Sequence, residues 1–228
     1  AYGSLYNDGN IKAVQEVHLD SWKADLHNTG DIVSVQGDVK LYANQNLYNG
    51  NEDSSGNITA KSGNITMTSH DDVLNYGVME AVTGDISIIS TDGVIFNGSG
   101  ADLLSGNGNV TLRAESTNGY YYYFDAQGVL HELTDASALK LNDYGEYVVQ
   151  INDNTYYPAI KNGSVFNAGD IMALGGTITL EAVQGNLTNY DDFNTLSVAD
   201  PNNTNGSYRG KDIATGNIVF SAENGHLY

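Results

Sequence analysis

Apolar residues in this chain come in short runs that alternate with small polar ones, and the runs stop at glycine, asparagine or aspartate. Alternation at every second position is the mark of a half-buried strand, so the pattern predicts an all-β chain. One run shows the form: Gly84-Asp-Ile-Ser-Ile88, then Gly93-Val-Ile-Phe-Asn97 and Gly98. It reads either as one hairpin or as one copy of a repeat.

The first half of that run recurs. Gly-polar-apolar-polar-apolar stands at Gly37–Leu41, Gly63–Met67, Gly84–Ile88, Gly108–Leu112, Gly176–Leu180 and Gly216–Phe220, with a degenerate copy at Gln15–Leu19. Successive starts are 22, 26, 21, 24, 68 and 40 residues apart, which is a period of 21 to 26 with two insertions. A second landmark, apolar-x-Asn, ends at Asn7, Asn28, Asn49, Asn75, Asn97 and Asn189. Where both landmarks occur, the Asn lies 12 or 13 residues after the first begins. A third apolar patch precedes each glycine, as in Val33/Val35, Met79/Val82, Leu103/Leu104, Met172/Leu174 and Ile213/Ala214.

A unit of about 22 residues with three short strands cannot close a core alone. Stacked in parallel, each strand pairs with its equivalent about 4.8 Å away and the alternate apolar residues fill a continuous interior. The expected fold is a right-handed parallel β-helix of about seven coils, with Ile65, Ile86, Val110 and Ile178 in one inner column and Met67, Ile88, Leu112 and Leu180 in the next. Asparagines at equivalent bends would stack their amides as a ladder. An antiparallel sandwich is the competing fold; it requires a hairpin turn between strand pairs and no fixed three-part period.

Composition narrows the function. With 26 Gly, 2 Pro and 16 Tyr in 228 residues, long helices are disfavoured. A formal charge of -19 argues against nucleic acid or anionic lipid as partner, since both need a positive field. The chain has no cysteine, which excludes disulfides, thiolate metal sites and cysteine nucleophiles. No apolar stretch is long enough to span a membrane.

The units Gly63–Met67, Gly108–Leu112 and Gly176–Leu180, each leading to an apolar-x-Asn turn, resemble the coils of filamentous-haemagglutinin-type bacterial exoproteins. The resemblance implies a β-helical stalk, an extracellular or cell-surface location and an adhesive or structural role. Residues 1–228 then form a single β-helix segment. The start at Gly3-Ser-Leu5-Tyr-Asn7 and the finish at Leu227-Tyr228 both fall within a coil, which suggests a piece of a longer solenoid continuing end to end.

Two insertions interrupt the repeat, at about 117–167 and 190–211. The first reads as two hairpins, Tyr120–Phe124 with Val129–Leu133 and Tyr147–Ile151 with Thr155–Ile160. Its Tyr120, Tyr121, Tyr122, Tyr123, Tyr147, Tyr156 and Tyr157 are candidate contacts for a host glycan or protein or a neighbouring fibre. The plainer reading packs Tyr121 and Tyr123 within the hairpin and lays Tyr120 and Tyr122 on the stack. The second insertion carries Asp191, Asp192 and Asp200, oxygen donors of the kind calcium takes, but a solvated acidic loop is the plainer and preferred reading. No other cofactor is implied. Trp22 reads as a cover for the side of the stack.

Catalytic constellations are sparse. Asp71/Asp72 and Asp191/Asp192 are neighbours, and neighbours on a strand face opposite ways, unlike the paired carboxylates of a glycosidase. Arg113 and Arg209 each stand alone, and His70-Asp71-Asp72 reads as a solvated turn. The expectation is a structural stalk segment rather than an enzyme; a polysaccharide-acting β-helix enzyme and a self-assembling filament subunit are the alternatives.

Overall fold

A computed structural model describes residues 1–51, 53–116, 118–125, 130–142, 147–152, 155–189 and 212–227. It is a parallel β-helix of seven coils, each contributing one strand to each of three seven-stranded parallel sheets. The asparagine face holds Leu5–Asn7, Leu26–Asn28, Leu47–Asn49, Val73–Asn75, Ile95–Asn97, Val165–Asn167 and Leu187–Asn189. The second face runs from Asn10–Ala13 to Asp212–Ala214, and the third from Val17–Ser21 to Ile218–Ala222.

Register is kept residue for residue. Ile86–Ser90 pairs in parallel with Ile65–Ser69 on one side and Val110–Ala114 on the other, while Ile95–Asn97 pairs with Val73–Asn75. The two halves of the opening run are therefore strands of different sheets. Ile65, Ile86, Val110 and Ile178 form one fully buried column, and Met67, Ile88, Leu112 and Leu180 another.

The recurrent glycine follows from how closely the coils approach. A Cβ on Gly84 would overlap the carbonyl of Gly63 in the preceding coil, and one on Gly108 would overlap Gly84. The polar residue after each glycine clamps the next coil: Asn64 N donates to Asp38 Oδ1 at 2.9 Å, Asp85 N to Asn64 Oδ1 at 2.8 Å, and Asn109 N to Asp85 Oδ1 at 2.7 Å.

The asparagine ladder is continuous. Nδ2 of Asn7 donates to Oδ1 of Asn28 at 2.7 Å, Asn28 to Asn49 at 2.8 Å, Asn49 to Asn75 at 2.7 Å and Asn75 to Asn97 at 2.7 Å. It then passes through Asn167 to Asn189, at 2.7 and 2.8 Å. Asn167 is a seventh rung within Val165-Phe166-Asn167, so those residues belong to the sixth coil and the inserted module is shorter than 117–167.

On the second face the inward residues differ by one position from the expectation. Ile32 and Ser34 are buried rather than Val33 and Val35, and Ile171 and Ala173 rather than Met172 and Leu174. Met79 and Leu103 do point inward, but Val82 is exposed. The small second member of each inward pair (Ser34, Ala60, Ala81, Ser105, Ala173) disguises the alternation, because large apolar residues are also tolerated outside.

The insertion leaves the stack between Ala114 and Val165 and is tied at its root. Asp92 Oδ1 accepts from Ser116 Oγ at 2.7 Å and from Asn118 Nδ2 at 2.8 Å. Asn162 Nδ2 donates to the Asp92 carbonyl at 2.8 Å and to Asn118 Oδ1 at 2.7 Å. Beyond this knot are two three-stranded antiparallel sheets. One joins Tyr121–Phe124 to Leu130–Glu132 and Ile160–Lys161; the other joins Tyr147–Asn152 to Leu139–Leu141 and Thr155–Pro158. Each expected hairpin thus gains a third strand. Residues 190–211 lie outside the described residues, and with them Asp191, Asp192, Asp200 and Arg209.

Candidate functional site

The middle residue of each apolar-x-Asn strand points away from the core, and in register these residues form an outer column: Tyr6, His27, Tyr48, Leu74, Phe96 and Phe166. His27 stacks between Tyr6 at 4.7 Å and Tyr48 at 4.5 Å. The insertion folds back over the rest of this column. Phe124 packs on Phe96 at 4.5 Å and on Phe166 at 6.2 Å, and Leu74 is buried.

Docking the insertion there leaves a cleft of about 570 Å³ between it and the third and fourth coils. Tyr48, Leu74 and Tyr76 line the side of the stack, and Tyr122, Leu130 and Glu132 come from the first inserted sheet. Asn51 and Asp53 belong to a longer turn after Asn49, which accounts for the 26-residue spacing of this coil. Its start, Gly50, has φ +83°, and the ladder amide of Asn49 reaches across the turn to the Gly56 carbonyl at 3.1 Å.

Asn46, Asp71 and Asp72 complete the lining at the corner that enters the asparagine face. There too a side-chain ladder clamps successive coils. Asn46 N donates to Asp25 Oδ1 at 3.0 Å, Asp72 N to Asn46 Oδ1 at 3.1 Å, and Val94 N to Asp72 Oδ1 at 2.9 Å. Asp72 is only 8% exposed, so it is not a residue of a solvated turn. His70 and Asp71 do sit half-exposed and bond to each other at 2.9 Å. Burial pushes the Asp72 carboxyl up to about 7; the Val94 amide opposes that, and the charges of Asp71 and Glu132 add to it. Burial, then the carboxylates around them, also raise the Tyr48 and Tyr122 phenols, which stay protonated at neutral pH.

The described tyrosines of the insertion are divided among four settings. Tyr122 faces the cleft just described. Tyr121, Tyr147 and Tyr156 line a second cavity of about 640 Å³ against Phe166, Thr188 and Asn189 of the last two coils, with Lys161 and His226 at its edge. Tyr123 stacks on Tyr157 at 5.8 Å and on His131 at 5.2 Å inside the module, and Tyr120 is 57% exposed. Tyr120 therefore does not cover the stack; Phe124 does. Trp22 leans on Tyr42 at 5.8 Å but remains 59% exposed, so it is a surface residue rather than a cover. Arg113 bridges coils through Glu181 at 3.4 Å and also pairs with Glu115 at 3.0 Å.

The sequence does not single out Glu132, and it marks Asp72 only as part of a solvated turn. Their approach depends on how the insertion folds back, which no local pattern encodes. The outer aromatic column was open to reading, since Tyr6, His27, Tyr48, Leu74 and Phe96 occupy one position of the repeat. No family model matches the chain, and no curated protein or solved structure shows significant similarity to it.

Proposed function

We propose that this chain is a shaft segment of a secreted or surface-attached bacterial fibre of the filamentous-haemagglutinin kind, and that its tyrosine-bearing insertion is the contact surface for a host glycan or protein or a neighbouring fibre. One observation carries the reading: seven coils fill their interior by in-register packing, while among the described residues one module is built out from them and docked on one face. A stack of this kind supplies length and rigidity, and recognition on such scaffolds belongs to what projects from them. The test is to replace residues 117–162 with a short turn and measure adhesion to host cells and matrix. Lost adhesion with an unchanged far-ultraviolet β signature supports the contact role. Full adhesion by the shortened chain overturns it.

A further inference from the structure

The cleft between the insertion and the third and fourth coils has a chemistry of its own. Its charged lining is all of one sign, Asp53, Asp71, Asp72 and Glu132, and among the described residues no Lys, Arg or His lines it. Its walls are apolar and aromatic, from Tyr48, Tyr76 and Tyr122. We infer that this cleft binds an organic cation, a primary ammonium on an alkyl stem such as the lysine side chain carries.

Asp72 is the observation that turns an acidic surface into a site. It is more than nine-tenths buried, and its one hydrogen bond as acceptor, from Val94 N, uses Oδ1 alone. Among the described residues the second oxygen accepts no hydrogen bond; it is left with accessible surface, and the residue lines the cleft. The ladder does not require a carboxylate here, because Asn46 performs the same clamping one coil earlier. A buried carboxylate without a counter-ion is costly, and a cation in the cleft removes that cost. The tyrosine faces accept an alkyl stem and attract its charged end. Among the described residues no three of His, Asp and Glu converge as ligands for one metal ion, so the arrangement suits an extended cation rather than a compact divalent one. The chain's charge of -19 draws cations toward it from a distance.

The groups facing Asp72 are Asp71 on its own coil, Glu132 on the insertion, and the phenols of Tyr48 and Tyr122. An ammonium favours the ionised carboxyl, so binding tightens as pH rises through about 7, and binding at that pH releases a proton.

The test titrates the whole chain, followed by nuclear magnetic resonance and calorimetry. The probes are Nα-acetyl-lysine N-methylamide, 1,5-diaminopentane, the uncharged Nα-acetyl-norleucine N-methylamide, and calcium chloride. The expected result is saturable binding of an ammonium probe at least about tenfold tighter than the norleucine compound, with shifts at Leu74, Tyr122 and Glu132. Asp72→Asn, which keeps the ladder bond, and Glu132→Gln each weaken it about tenfold or more, and Asp72→Asn abolishes the proton release. Preference for the lysine compound points to a lysine borne by a protein partner, and preference for the diamine to a free polyamine; either supports the inference. Equal binding of the norleucine compound, tighter binding of calcium, no binding of any probe, or an unaltered Asp72→Asn variant overturns it. The inference deepens the contact-surface reading. Because these titrations use the isolated chain, their failure leaves the adhesion result untouched, and the reverse also holds.

Discussion

Phe124 of the insertion meets Phe96 of the fifth coil at 4.5 Å between ring centroids, with the planes tilted by 46°. Phe166 of the sixth coil stands 5.2 Å from Phe96, so one inserted ring sits over two rings that are neighbours in the stack. The insertion is thereby fixed to the shaft by a packed contact in addition to its root at Ser116 and Asn162.

Phe124→Ala removes that anchor. Docking should weaken by about 2 kcal/mol, since an aromatic contact and its buried area are lost. Native-state hydrogen exchange should then accelerate about 30-fold at the amides of Tyr121–Phe124. Exchange at Ile86–Ser90, inside the third sheet, should not change.

Asn75 is the middle of the amide ladder and 1% exposed; it donates to Asn97 and accepts from Asn49. Replacing it with alanine leaves two buried amide groups without their partner, a loss of about 3 kcal/mol. Asn7 lies at the edge of the ladder and makes one rung, so Asn7→Ala should cost about 1 kcal/mol. Urea unfolding of the two variants side by side measures the difference.

Glycines of the repeat are not alike. A Cβ at Gly84 runs into the Gly63 carbonyl, whereas one at Gly3 meets nothing within 4 Å. Gly84→Ala should force adjacent coils apart and destabilise by about 2 kcal/mol or more, as overpacking does. Gly3→Ala should be neutral or slightly stabilising, through the lower entropy of the unfolded chain. Melting temperatures of the pair decide it.

Asp72 makes stability depend on pH with an unusual sign for a carboxyl group. The folded protein keeps this proton up to about pH 7, whereas the unfolded chain releases it near the ordinary 3.8. Below both values Asp72 costs nothing. Between them the folded state holds more protons than the unfolded one, so stability falls as pH rises, and above about 7 the loss is complete. The full span is of the order of 4 kcal/mol. Asp72→Asn should flatten that fall in urea titrations between pH 4 and 8 and gain stability at the upper end.

How much of this was legible depends on how local each signal is. The third-face motif is written into six of the seven copies, because coil contact demands glycine, and five of these place Asp or Asn, the clamping types, beside it; Gly84-Asp85 states both. The ladder was readable except for Asn167, which directly follows the insertion and was absorbed into it. The second face was misplaced by one residue because Ser34 and Ala173 are small where the eye seeks bulk. The cleft was not readable. Asp72 and Glu132 are separated by most of two coils and half of the insertion, and only the docking of Phe124 brings them to one space.

The asparagine ladder carries one more consequence. At every rung Nδ2 of the earlier coil donates to Oδ1 of the later one, and at Asn49, Asn75 and Asn167 the other hydrogen is held by the carbonyl of Gly56, Gly77 or Gly169 at 3.1 Å. These three amides cannot reverse without breaking both bonds. The row is therefore a vector, with its dipoles aligned along the axis of the molecule. Any lengthening of the stack, by further coils or by a second copy, has to meet it head to tail, because opposed rows would set like poles against each other at the centre of the shaft.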